Sequence, residues 1–223
     1  MKLLSPFILP IGILLLWAAV SGAGLVDPLF LPTPWSVAKA LIAGLLSDQL
    51  ARDLGATILR SLTGFALSAT IGVPFGLLIG RIPPLARATQ PTIDFLRSIP
   101  ATALFPLFLF VFGLGDAAKV AIVIFGCSLI VLVNTAYGAL QVKAPRLLSA
   151  TVMGASRWDS FWKIVVPESS PGIFAGLRIA LSLSFVLIVV TEMFIGTTVG
   201  LGYQIINSQM VYRIPDMYAG IIL

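Results

Sequence analysis

The chain has 223 residues, of which 58% are hydrophobic and 10% charged, and it contains no histidine. That balance lies far from the composition of water-soluble domains and reads as an integral membrane protein. The absence of histidine sets aside the commonest zinc ligand and the usual proton carrier at neutral pH, and the formal charge of +5 is accounted for by topology below, with no nucleic acid partner.

In chain order, the first apolar run extends from about Leu4 to Val26, with Trp17 inside it. It is near the ~20 residues that cross a bilayer. A cleaved signal peptide is the rival reading, because small residues near Ser21 to Gly24 offer a cleavage point. The further apolar runs favour a retained helix, so residues 1–26 are expected to be a first transmembrane helix. Residues 27–55 carry Pro28, Pro32 and Pro34 followed by the helix-like WSVAKALIAGLL, and are expected to form an external segment with an interface-lying helix.

The second span is expected from about Ala56 to Gly80. It carries Gly64, Ser68, Gly72, Gly76 and Gly80 at four-residue intervals, a stripe that lets another helix approach closely within the chain or from a second copy. RIPPLAR follows as a basic turn that its two prolines should keep from being helical. A third apolar run, about Ala88 to Gly113, is interrupted at DFLRSIPATALFP. Asp94 and Arg97 can pair one turn apart, while Pro100 and Pro106 break the helical ladder. A broken, charged helix is tolerated at membrane depth where protein or a watery cavity surrounds it; an ion pair at the interface, with kinks serving packing, is the alternative. Asp94, Arg97, Ser98 and Pro100 are therefore candidate pathway residues. Asn134, in a fourth run from about Ala117 to Leu140, is a further candidate or else bonds a neighbouring helix. The lone Cys127 in that run excludes an intrachain disulfide and reads as a packed core thiol.

The longest polar interruption runs from Leu147 to Leu181. Pro145 can start a short helix and Gly154 can end it in a left-handed conformation. Ser156 and Asp159 form the S-x-x-D pattern of a capping box, and Pro167 is expected to stop the second helix. Between them Trp158, Phe161, Trp162 and Val165 fall on one helical face, opposite Arg157, Asp159, Ser160 and Lys163.

A fifth run, Gly172 to Ile195, repeats the small-residue stripe at Gly172, Gly176, Ala180 and Ser184 and ends at Glu192, which is expected to reach water at a membrane end. Residues 196–216 read as a polar external loop. Tyr218 to Leu223 begins another apolar run, so the fold is expected to have five complete spans plus the start of a sixth, and the last span reads as truncated.

If the Leu147 loop is cytoplasmic, internal segments hold Lys2, Arg81, Arg87, Lys143, Arg146, Arg157, Lys163 and Arg178. External segments hold Lys39, Arg52, Arg60, Lys119 and Arg213. Excess Lys and Arg inside follows the positive-inside rule and places the amino terminus in the cytoplasm.

The spacing of Ala150, Gly154, Ile164, Val166 and Pro167 resembles the cytoplasmic loop signature of binding-protein-dependent ABC importer permeases, E-A-A, three residues, G, nine residues, I-x-L-P. Leu148 stands where that pattern has Glu, and Ser149 where it has its first Ala. The continuation to Leu181, with LPTPWSVAKAL, LRSIPATALFPLFLFVFGLG and TEMFIGTTVGLGYQI, is similar to the nitrate/sulfonate/taurine/bicarbonate permease subfamily. The resemblance implies an all-α polytopic helix bundle of the type I, MetI-like importer fold. It implies a permease core over residues 56–223 with a cytoplasmic coupling loop at 141–171. Ala150, Gly154, Ala155, Ser156, Arg157, Trp158, Phe161, Trp162, Lys163 and Pro167 would then engage a cytoplasmic ATP-binding subunit. The other implied partners are an external solute-binding protein, a second permease copy and the bilayer of the inner membrane. The cargo would be a small anion such as a sulfonate, taurine, nitrate or bicarbonate.

No G-x-x-x-x-G-K-[ST] motif is present, so the chain is not expected to hydrolyse ATP. It is expected to be a transport subunit and not an enzyme, with no metal or cofactor. Importers of thiamine-precursor pyrimidines are similar too. The alternative from another class is a secondary transporter working without ATP, which calls for two inverted halves with matching broken helices; only one broken run is evident. A non-transporting scaffold would explain the stripes but not the broken, charged span.

Overall fold

The computed structural model describes residues 5–194 and 198–223. Lys2 of the internal charge set, and the Ile195 to Thr197 part of the fifth run and its following loop, lie outside the described residues. Every regular element among the described residues is helical: α1 (Ser5–Gly22), α2 (Pro34–Leu46), α3 (Gln49–Arg81), α4 (Pro83–Ser98), a 3-10 turn (Ala101–Leu104), α5 (Phe105–Phe112), α6 (Asp116–Leu140), α7 (Ala144–Val152), α8 (Arg157–Ser160), a π turn (Phe161–Val165), α9 (Val166–Phe194), α10 (Leu201–Met210) and α11 (Ile214–Ile222). Among the described residues, three stretches are long and apolar enough to cross a membrane: α3, α6, and the continuous run Arg157–Phe194. The pair α4 and α5, bent by 81° across its break, adds a fourth if taken as one broken span, and the apolar part of α1 is shorter.

The chain divides into two compact units, residues 58–191 and the remainder. Within the first, α6 is the central helix. Its buried Val123, Cys127 and Val131 meet Ala180, Leu187 and Ile188 of α9, and the Cys127 thiol donates to the Ala180 carbonyl at 3.3 Å. The glycine stripe of α3 packs against α6. A Cβ at Gly72 would lie 2.7 Å from that of Val131, and one at Gly76 only 2.5 Å from the Leu132 carbonyl oxygen. The stripe on α9 does the same from the other side, with a Cβ at Gly172 falling 2.8 Å from the Asn134 carbonyl oxygen. Ser61 and Ser184 complete the arrangement with a 2.8 Å hydroxyl pair between α3 and α9. The stripes thus serve contacts within the chain. In lipid, where burial of apolar surface gives little drive between helices, backbone proximity supplies the packing.

Three expectations from the sequence need correction here. α3 begins at Gln49 instead of near Ala56, because Leu50, Asp53 and Thr57 continue its buried face. RIPPLAR is not a non-helical turn: the chain leaves helical geometry only at Ile82 (φ −116°), and Pro83 and Pro84 open α4, where their missing N–H groups have no intrahelical partner to lose. Residues 196–216 are not simply a loop, since they contain α10 and the start of α11.

In the second unit α2 opens after Thr33, whose hydroxyl accepts from the Ser36 N–H at 3.2 Å. Trp17 of α1 donates its indole N–H to the Pro32 carbonyl at 2.9 Å, and Tyr218 of α11 donates to the Phe30 carbonyl at 2.8 Å. Glu192 does not reach water as expected; it is 1% exposed. Thr57 donates to its Oε2 at 2.8 Å and the Gly202 N–H at 3.1 Å. The Leu201 N–H donates to Thr57 Oγ1 and the Gly200 N–H to Asp53 Oδ1. The free N–H groups opening α10 are therefore met by two carboxylates and a hydroxyl, the chemistry a helix start favours.

Candidate functional site: the elbow between α7 and α9

α7 ends in a complete Schellman motif. The Ala155 N–H donates to the Ala150 carbonyl at 2.9 Å and the Gly154 N–H to the Thr151 carbonyl at 3.0 Å, while Gly154 takes φ +84°, as the sequence predicts. A Cβ at Gly154 would meet nothing within 4 Å, so glycine is set here by backbone conformation and not by crowding.

Ser156 then caps α8, its hydroxyl oxygen accepting from the Asp159 N–H at 3.0 Å. The reciprocal half of the capping box differs from expectation. Asp159 accepts from the Ser156 hydroxyl at 2.5 Å and from Lys163 Nζ at 2.6 Å, not from the Ser156 backbone.

Pro167 does not stop the helix. The backbone widens through the π turn, where the Val166 N–H reaches the Phe161 carbonyl, and α9 continues through Pro167. A single π turn of this kind inserts one extra residue without ending the helix. The expected aromatic face is split. Phe161 and Val165 turn inward against Leu77, Ala139 and Val142, whereas Trp158 and Trp162 remain 70% and 51% exposed. The three aromatic rings still touch, with centroids 5.4–6.3 Å apart. Arg146 of α7 pairs with Glu168 at the start of α9, tying the two limbs together.

The elbow therefore presents the open rings of Trp158 and Trp162 beside Arg157 and Lys163, with Leu148, Val152 and Met153 also exposed on its α7 limb. Pro167 is exposed at its end; Ala150 and Ala155 are half-buried at the Schellman turn.

The candidate pathway residues are only partly assembled. Asp94 and Arg97 pair at 3.8 Å and line a small cavity of about 110 Å³ with Gln90 and Tyr137. Arg97 also borders a larger cavity of about 470 Å³ with Pro100, Thr102, Phe125 and Leu187. Ser98 donates to the Phe95 carbonyl of its own helix. Asn134 donates to the Ile130 carbonyl at 2.9 Å and packs against the α9 glycines; the lining of neither cavity includes Ser98 or Asn134.

The model of the family described as the binding-protein-dependent transport system inner membrane component matches residues 72–223, a stretch that contains the whole elbow. The chain belongs to this family. It is a permease subunit of an ABC importer, a multi-pass protein of the inner membrane. The permease is 28% identical to the taurine transport system permease TauC of Escherichia coli over 94% of this chain and 78% of that protein. It is 31% identical to the bicarbonate transport system permease CmpB of Synechocystis over 91% and 75%. SsuC of Bacillus subtilis, named for aliphatic sulfonates, is 30% identical over 97% and 78%. Among solved structures, the fold is similar to an inward-facing methionine ABC transporter, MetNI, at a TM-score of 0.61 and 20% identity, covering 79% of this chain and 93% of that one. An amino acid ABC transporter matches at 0.61 and 20%, covering 82% and 89%.

Buried Glu192, Asp53 and Thr57, and a buried Lys119, were not singled out as sites by the sequence. A signal was present for Asp53 and Thr57: with Ser61 they continue the small-residue face of α3 at four-residue spacing, and a carboxylate on such a face must find partners.

Proposed function

We propose that the elbow of this permease subunit is the element through which a separate ATP-binding subunit drives transport of a small anion. The observation that carries the reading is the rigidly capped bend bearing two exposed tryptophans and two exposed cations. An exposed aromatic pair rimmed by charge is the composition of an interface hot spot. Trp158 and Trp162 would anchor in a groove of the partner, with Arg157 and Lys163 at the rim and Gly154 and Pro167 shaping the approach. ATP hydrolysis would then reside on the partner, and an external binding protein would deliver cargo. Two permease copies would assemble with their amino termini in the cytoplasm, each with five spans. Residues 1–26 would form the first span, 27–55 the external segment and 56–223 the core.

The names of the taurine, bicarbonate and sulfonate relatives support an anionic cargo, and Arg97 between two cavities supports a cationic station on its path. The test is uptake of taurine, methanesulfonate, nitrate and bicarbonate by cells carrying the full assembly. Trp158→Glu with Trp162→Glu is expected to abolish partner co-purification and uptake together, and Arg97→Ala to abolish uptake while the partner stays bound. Partner binding untouched by the double variant would end the coupling reading, and full uptake in Arg97→Ala would end the pathway role.

A further inference from the structure

Between Glu168 at the elbow and Glu192 in the buried cluster, Arg178 is the one charged side chain of α9. It stands about 15 Å along the helix from the first and about 21 Å from the second. The register of α9 on α6 gives its depth. Gly176 faces Val131 and Asn134, and the Ala180 carbonyl accepts from the Cys127 thiol, so Arg178 stands level with Leu129 and Ile130, near the middle of α6. The sequence groups Arg178 with the internal charges; folded, it is at mid-span. It is exposed, and among the described residues its side chain has neither an ion pair nor a hydrogen bond. Ionisable side chains at such depth face protein or a watery cavity, not lipid. Snorkelling does not relieve this one, because the charged end of the span at Glu168 is farther than an extended arginine side chain reaches. What the face opens on is visible two turns further along. Ser182 and Val186 follow Arg178 at four-residue intervals and all three are exposed. Val186 lines the cavity of about 470 Å³ that Arg97, Leu129 and Ile130 also border.

We propose that the row Arg178, Ser182 and Val186 is a wall of the water-filled solute path, with Arg178 a second cation on it, on the elbow side of the Arg97 cavity. The inference rests on the anionic-cargo reading and deepens it, since it gives the cargo a further contact beyond Arg97. Arg97 has a counter-charge in Asp94, 3.8 Å away, whereas Arg178 has none, so Arg178 carries the larger uncompensated charge. Its planar fork of donors suits a small oxyanion, a sulfonate or carboxylate or their inorganic counterparts, held by two oxygens at once. The open side of the row would be closed by the second permease copy. The hydroxyl of Ser182, now donating to the Arg178 carbonyl at 3.4 Å, can turn to the solute at little cost, because its present bond is long.

The test is thiol labelling of Ser182→Cys in membranes carrying the full assembly, read on the permease chain, whose own Cys127 is buried. The anionic sulfonatoethyl and cationic trimethylammonioethyl methanethiosulfonates are compared, each rate divided by that on free mercaptoethanol. Ser182→Cys is expected to react with both and to favour the anionic reagent about tenfold, the scale of a neighbouring unit charge in a partly watery space. Adding Arg178→Gln is expected to remove the preference and Arg178→Lys to keep it, with uptake of methanesulfonate following the preference. If the row faces lipid, Ser182→Cys will react with neither reagent, and Arg178→Leu will raise the unfolding temperature and leave uptake unchanged, which overturns the path wall. A preference that persists in full in Arg178→Gln overturns the role of its charge. Both results leave the anionic cargo standing, because uptake of the four anions tests it separately. A preference that follows Arg178 while none of those anions is taken up would end the cargo reading and sustain the wall.

Discussion

Substitution of Gly154 isolates the backbone of the elbow from everything else. Its φ of +84° lies where L-residues other than glycine are strained, and a Cβ there would meet nothing within 4 Å. The cost of a side chain is therefore the left-handed conformation alone, about 1–2 kcal/mol for alanine and more for a β-branched residue. That energy corresponds to about a 5- to 30-fold rise in the population of an opened elbow. The opening breaks the bond from the Ala155 N–H to the Ala150 carbonyl, now 2.9 Å long. Hydrogen exchange at Ala155, measured on the permease in nanodiscs, should accelerate in the order Gly154→Asn, Gly154→Ala, Gly154→Val, because asparagine tolerates this region best. Uptake should fall in the same order while the unfolding temperature of the membrane helices stays constant. Equal exchange rates in Gly154→Asn and Gly154→Val would show that the conformation is not what fixes glycine here, and the mechanical role given to the bend would fail with it.

Three further outcomes follow from the packing. Glu192→Ala leaves Thr57 and the Gly202 N–H without their buried acceptor and should cost about 1–3 kcal/mol, with Glu192→Gln recovering much of it, read as unfolding temperature in detergent. Gly76→Ala, whose Cβ would lie 2.5 Å from the Leu132 carbonyl oxygen, should cost about 1–3 kcal/mol. The same change at exposed Gly55, with nothing within 4 Å, should stabilise α3 by about 0.5–1 kcal/mol.

Features set by local rules were legible in the sequence. Gly154 had to end α7 because a left-handed residue closes a helix most cheaply as glycine, and the glycine stripes had to meet another helix because small residues in a span have little other use. The features that escaped were decided by neighbours far along the chain. Pro83 and Pro84 look like breakers, yet at the first turn they cost nothing. Pro167 looks like a stop, but the backbone widens through the π turn before it and the helix runs on. Glu192 beside a membrane end suggests hydration; its partners, Thr57 and the backbone of Gly202, become visible only when α3, α9 and α10 are folded together. Lys119 was read as one of the external charges; its i,i+3 pairing with Asp116 is local, but its burial is set by tertiary packing, which no local pattern encodes.

The role proposed for the elbow requires that its movement reach the centre of the residue 58–191 unit, and the packing there leaves few ways for it to dissipate. Phe161 and Ile164 are seated against Leu77, Ala139 and Val142, so the π turn grips α3 and α6 directly. Beyond it α9 meets α6 backbone to backbone: a Cβ at Gly138 would lie 2.8 Å from the Ser169 carbonyl oxygen and 3.2 Å from the Gly172 Cα. A seam made of side chains can yield by changing rotamers, whereas a glycine seam has none to change, and packed interiors transmit strain. The break between α4 and α5, where the chain bends by 81°, lies beside Arg97. Gly138→Ala tests this directly. A methyl group there must push α9 off α6 by a few tenths of an ångström, so the variant should keep its ATP-binding partner at the elbow, keep partner-borne ATP hydrolysis, and lose at least tenfold in uptake. Gly55→Ala, where the added methyl group meets nothing within 4 Å, should change none of these. Uptake at the unaltered level in Gly138→Ala would mean that force leaves the elbow by another route, and the glycine seam would be packing alone.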